Sequence, residues 1–182
     1  MNIHKILFII ILSTFCGLGS LQGAQKSELV ENIYQTAGIP GGIVVLTGCK
    51  DGKLTIALQR MPTSLVQGLS RSTDNIEKAR KNIHASGKYG PVSVKLWDGT
   101  KLPYIDNLVN LLVVEDKAAL TDAEITRVLT PNGVALIKGQ DTWKKIIKPR
   151  PKEMDDWTHY MYHAAGNPVS NDTLVAPPQY QQ

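Results

Sequence analysis

Gly41-Gly42-Ile43-Val44-Val45-Leu46-Thr47-Gly48-Cys49-Lys50-Asp51-Gly52-Lys53-Leu54-Thr55-Ile56-Ala57-Leu58 is the stretch on which the reading of this chain turns. An apolar, β-branched run (Ile43 to Leu46) meets a turn carrying Gly48 and Gly52, and an amphipathic segment with Leu54, Ala57 and Leu58 leaves it. That order predicts a buried strand, a tight loop and a helix, the nucleotide-binding corner of a doubly wound α/β sheet. Lys50 stands where such a loop usually has a further glycine. Whether the corner still binds a ligand is therefore the functional question.

Outward from this corner the same alternation continues. Residues 27–37 read as a helix with Ser27 as its cap, Leu29, Ile33 and Ala37 on one face, and Gly38 as its stop. After the corner, Ser64 to Leu69 predicts a second strand. Ser72 or Thr73 caps a helix with Ile76, Ala79 and Ile83 at helical spacing, ending at Gly87. Val92 to Leu96 predicts a third strand and Leu108 to Val114 a fourth, apolar enough to be central and covered on both faces. Thr121 to Leu129 predicts a helix, Pro131-Asn132-Gly133 a turn, Val134 to Lys138 a fifth strand, and Trp143 to Ile147 an extra edge strand. Strands separated by helices imply a mostly parallel sheet with right-handed crossovers.

The ends read differently. Residues 1–24 have Lys5, an apolar run from Ile6 to Leu18 and small residues to Ala24, the pattern of an export signal too short for a comfortable membrane span. The expected location is periplasmic or extracellular, with a membrane role only if the signal stays uncleaved. Without Cys16, Cys49 is the only cysteine, so no internal disulfide is expected. From Pro149 to Gln182, prolines break any long element, and this part reads as a linker and the beginning of a further unit. The chain is 42% hydrophobic and 20% charged with net charge +4, which fits a globular protein and gives no reason to expect nucleic acid as a partner. The cluster Lys144, Lys145, Lys148, Arg150 and Lys152 reads as a solvated face.

Several motifs together resemble the class I S-adenosylmethionine-dependent methyltransferases. They are Val45 to Gly52, Val66-Gln67-Gly68-Leu69-Ser70, Trp97-Asp98-Gly99 with Leu102-Pro103-Tyr104, and Arg127 to Val134. The resemblance implies a Rossmann-like, doubly wound sheet over residues 25–148 and S-adenosylmethionine as cofactor. It implies cofactor contacts at Gly48, Lys50, Gly52, Ser70 and Asp98, with Asp98 toward the adenine and Glu115-Asp116 near the transferred methyl group. It also marks departures: Leu46 and Lys50 replace an acid and a glycine, and Ser70 replaces the acid that holds the ribose hydroxyls. A serine exchanges a single hydrogen bond where a carboxylate accepts from both hydroxyls. These departures predict weak or absent cofactor binding and a binding or structural role; the alternative is an active methyltransferase on a small molecule. No catalytic residue is assigned.

Two further readings complete the sequence. Lys50 near a helix N-terminus favours an anionic ligand. Asp156 to His159, His163 to Asn167 and Val175 to Pro178 resemble the lead-in to a pyrroloquinoline-quinone-dehydrogenase-like β-propeller of secreted bacterial proteins, which implies such a propeller after residue 149. His159 and His163 have the spacing of helical metal ligands but lack a third ligand, so no metal is expected. Cys49 reads as either a reactive thiol in the loop or a small buried filler.

Overall fold

The computed structural model describes residues 27–140, 142–162, 164–166 and 169–174. The export signal, Cys16, His163 and the stretch from Val175 lie outside the described residues. Helix α1 covers residues 27–37. It is followed by β1 (Ile43–Thr47), α2 (Lys53–Leu58), β2 (Leu65–Ser70), α3 (Thr73–Ala85), β3 (Val92–Leu96), β4 (Val109–Val114), α4 (Asp122–Val128), β5 (Leu129–Lys138) and β6 (Trp143–Ile147). The strands form one sheet in the order β3-β2-β1-β4-β5-β6. β1 to β5 are parallel, and β6 runs antiparallel along the edge of β5.

The apolar runs of β1 and β4 explain why those strands sit in the middle. A strand turns alternate side chains to opposite faces, so a run without polar residues must be covered twice. Val44 and Leu46 join Leu111, Val113 and Leu136 in a core beneath α1 and α2, with Ile33, Tyr34 and Leu58. Val45, Leu112 and Val114 point the other way, into a core closed by Ile125 and Val128 of α4 and by Trp97 and Leu102. Leu46 is 1% exposed. At that position the core requires the apolar side chain, and a carboxylate there would be buried without a partner.

Helix α1 belongs to the same body. Tyr34 donates its hydroxyl to the Leu58 carbonyl at 2.5 Å, and the Arg60 guanidinium stacks over the Tyr34 ring at 5.1 Å while pairing with Glu31 at 2.9 Å. Ser27 is already helical, one step inside the start expected for it. Helix α3 packs through Ile76, Ala79 and Ile83, and Ser72 caps it by accepting from the Asn75 amide at 3.4 Å.

One expected boundary is corrected. Pro131-Asn132-Gly133 is not a turn ahead of β5 but a bulge within it. Val109 pairs with Leu129 and Leu111 with Val134, so the strand loops out between the two registers, with Asn132 at φ 62°. The left-handed conformation that Asn tolerates supplies the bend.

The basic cluster near the C-terminus is tied to the fold. Lys144 pairs with Asp122 at 3.3 Å, Lys145 donates to the Thr36 carbonyl at 2.7 Å, and Lys148 donates to Asn107 Oδ1 at 2.6 Å. Beyond it the described tail has no regular element. Arg150 grips both oxygens of Asp156 at 2.9 and 2.6 Å, and Asp155 accepts from the Tyr162 hydroxyl and from the Asn171 amide. Trp157 meets Tyr162 edge-on at 5.9 Å, with Trp157 and Tyr160 largely exposed. Polar contacts shape this segment, and it builds no core of its own.

Candidate functional site

Parallel strands leave their C-terminal ends on one edge, and the order β2-β1-β4 means that connections diverge to opposite sides of β1 there. Open α/β sheets bind ligands at such a switch point. In this chain the edge holds a cleft of about 450 Å³. The loop after β1 contributes Gly48, Cys49 and Lys50, the end of β2 and the start of α3 contribute Ser70 to Ser72 and Asn75, and the ends of β4 and β5 contribute Glu115, Asp116 and Lys138.

The loop after β1 is fixed by its backbone. Gly48 at φ 84° and Cys49 both donate their amides to the Leu69 carbonyl, at 3.0 and 2.9 Å. A side chain at Gly48 would meet Asp116 Cβ and the Asp116 amide nitrogen at 3.0 Å, so glycine lets the β4 tip close over the loop. Thr47 reinforces this by donating its hydroxyl to the Asp116 carbonyl at 2.8 Å.

Three of the five residues expected at the cofactor line the cleft, Gly48, Lys50 and Ser70; Gly52 and Asp98 do not. Gly52, at φ 77°, is where α2 touches α3: a Cβ there would lie 2.9 Å from Ala79 Cβ. The contact is sealed by Asn82, which donates its side-chain amide to the Asp51 carbonyl at 2.8 Å. Asp98 is a turn former. Its carboxylate accepts from the Thr100 amide at 2.9 Å, and that hydrogen bond holds its pKa below the usual carboxylate value.

The N-terminus of α2 offers little to an anion. The helix has six residues, and the Lys53 amide is already taken by Asp51 Oδ1 at 3.1 Å. Cys49 is 2% exposed, its sulfur lies 3.3 Å from Thr55 Oγ1, and burial pushes its thiol pKa up. Of the two readings of this cysteine, the buried filler is the one observed. Gly68 makes room for it, since a Cβ there would meet the sulfur at 2.9 Å.

The residues that sequence reasoning missed are Arg71, Asn75 and Lys138. Arg71 donates from Nε at 3.1 Å and from Nη2 at 2.8 Å to Asp116 Oδ2, linking the tips of β2 and β4 across the end of β1. Lys138 pairs with Glu115 at 2.9 Å. Lys50 has no ion-pair partner among the described residues. The one signal for Arg71 was its place directly after Ser70.

The Leu102-Pro103-Tyr104 loop is held from α4. Arg127 donates to both oxygens of Glu124, at 2.8 and 2.7 Å, to Asp106 at 2.6 Å and to the Tyr104 carbonyl at 2.9 Å. Tyr104 in turn donates to Gln67 Oε1 at 2.6 Å, and burial raises its pKa.

No family model matches the chain, and no curated protein matches it. Solved structures do. A candidate S-adenosyl-L-methionine-dependent methyltransferase from Methanococcus maripaludis superposes with TM-score 0.56 at 27% identity, over 62% of this chain and 54% of that one. The chain has a class I methyltransferase fold. Geranyl diphosphate C-methyltransferase from Streptomyces coelicolor A3(2), solved with Mg2+, geranyl diphosphate and S-adenosyl-L-homocysteine, gives TM-score 0.56 at 18% identity over 68% of this chain and 47% of that one. The 4+2 cyclase SpnF gives TM-score 0.54 at 21% identity over 61% of this chain and 43% of that one. The chain thus spans about half the length of the structures it matches. A methyltransferase fold that also carries a cyclase leaves activity to be argued from the site.

At this cleft Ser70 stands at the end of β2 and Lys50 in the loop after β1. No carboxylate ends β2, and the Ser70 hydroxyl already accepts from the Ser72 amide at 3.3 Å. Lys50, Arg71 and Lys138 face two carboxylates, leaving the cleft with an excess of positive charge. A cationic ligand coming within about 5 Å of an unpaired cation is opposed by roughly 3 kcal/mol at an effective dielectric of about 20. One hydrogen bond to a ribose hydroxyl returns only about 1 kcal/mol.

Proposed function

We propose that this methyltransferase-fold domain is a nucleoside-binding module that does not transfer methyl groups. The observation that carries the reading is the cleft itself: it keeps the switch-point position and the glycine turn, but Ser70, Arg71 and Lys50 replace the features that would hold a sulfonium nucleoside. In an exported protein with a propeller after residue 149, where a cytosolic cofactor is not supplied, such a domain acts by binding. The export signal and the tail motifs support that context.

The test is thermal. A ligand with micromolar affinity present at millimolar concentration, about a thousand times its dissociation constant, stabilises a protein by about 4 kcal/mol. The expected result is no rise in the melting midpoint with millimolar S-adenosylmethionine. A rise of several degrees would count against the proposal.

A further inference from the structure

We infer that the cleft takes a nucleoside whose ribose carries a phosphomonoester, gripped by Arg71, Ser70, Asn75 and Lys50. This rests on the nucleoside-binding reading above. In doubly wound folds the end of the second strand faces the ribose: an acid there binds the free hydroxyls, and an arginine nearby accommodates a phosphate on them. Ser70 removes the carboxylate that would repel a phosphate, and Arg71 follows it directly.

The arginine is placed for this task. Nε and Nη2 are used on Asp116 Oδ2, while Nη1 has no partner among the described residues, so the guanidinium is held in the cleft with donors to spare. Its stem crosses Gly99, where a Cβ would come within 2.8 Å of Arg71 Cδ; a glycine at φ 92° leaves room for it.

The neighbours agree. The Ser70 hydroxyl accepts from the Ser72 amide and keeps its own proton to donate. Asn75 and Lys50 line the cleft, and neither side chain has a hydrogen-bond partner among the described residues. Of the acids, Asp116 is neutralised by Arg71 and Glu115 by Lys138. Asp74, in the first turn of α3, is exposed and does not line the cleft. A phosphomonoester brings a charge of about −1.5 to −2 at pH 7, which the unpaired Lys50 and the spare donors of Arg71 meet.

Calorimetric titration of the full chain with adenosine 5′-monophosphate, adenosine 2′,5′-bisphosphate and adenosine 3′,5′-bisphosphate tests this. One bisphosphate should bind at least about tenfold more tightly than the monophosphate. Which one it is separates a 2′-phosphorylated ligand from a 3′-phosphorylated one. Arg71→Ala and Lys50→Ala should each remove most of that advantage; Lys50 is exposed and unpaired, so its variant keeps the fold even if the Arg71 variant does not. Equal affinity for all three, or an advantage that survives both substitutions, overturns the phosphate assignment and leaves the nucleoside-binding reading intact. No binding of any of the three at millimolar concentration overturns both. Micromolar S-adenosylmethionine binding without a bisphosphate advantage likewise overturns both.

Discussion

Arg71 places Nε and Nη2 on the same carboxylate oxygen of Asp116, at 3.1 and 2.8 Å, and so joins the tips of β2 and β4 above Gly48. The pair is partly exposed, with side chains 54% and 35% accessible, so its own contribution to stability is small, about 0 to 1 kcal/mol. Its consequence is positional: a guanidinium is held in the wall of the cleft. Replacing Lys50 and Ser70 should raise affinity for S-adenosylmethionine. The double variant Lys50→Gly with Ser70→Asp removes the unpaired cation and supplies a carboxylate that accepts from two hydroxyls. It is expected to show saturable S-adenosylmethionine binding below about 0.1 mM by titration calorimetry, where the parent shows none up to millimolar ligand. An equally flat titration for the variant would contradict the charge argument.

Cys49 should be silent toward thiol reagents in the native protein. It is buried, its pKa is raised by that burial, and only the thiolate reacts. Labelling with an aromatic disulfide reagent is expected to proceed only in denaturant. Stoichiometric labelling in buffer within minutes would place the thiol in the open cleft instead.

Gly52 should resist substitution more than its neighbours. Gly52→Ala combines a left-handed backbone at φ 77° with a Cβ 2.9 Å from Ala79 Cβ, so α2 and α3 must separate. A loss of roughly 1 to 3 kcal/mol is expected, seen as a lower denaturation midpoint with little change in slope. Gly38→Ala, at φ 72° with open space around it, carries the backbone strain alone and should cost less.

Much of the fold could be read from the chain because its determinants are local. The unbroken apolar runs in β1 and β4, the Ser72 cap and the glycine turn at Gly48 act within a few residues of themselves. The bulge in β5 was read as a turn because Pro131-Asn132-Gly133 has turn chemistry, and only pairing with β4 shows that the strand resumes its register. The site was half legible for the same reason. Gly48, Lys50 and Ser70 follow the motif spacing into the cleft, while Gly52 lies at a helix contact and Asp98 in an Asx turn. Arg71 acquires its meaning from Asp116, far away in sequence and adjacent only because β2 and β4 flank β1.

Acid should loosen the Leu102-Pro103-Tyr104 loop through Glu124. The hydrogen bonds from Arg127 hold the Glu124 pKa below its ordinary value. A carboxylate depressed in the folded state contributes stability above its unfolded pKa, about 4.3, and loses it as the pH falls through the folded value. Stability should therefore fall below about pH 4.3 more steeply in the parent than in Glu124→Gln, which lacks the titrating group. Parallel acid-unfolding curves for the two proteins would contradict the assignment.

The surplus of positive charge in the cleft is expected to oppose a sulfonium nucleoside. Titration calorimetry of the purified chain with S-adenosylmethionine at low ionic strength tests it most directly. The predicted result is no saturable heat up to millimolar ligand; a dissociation constant in the micromolar range would contradict the account.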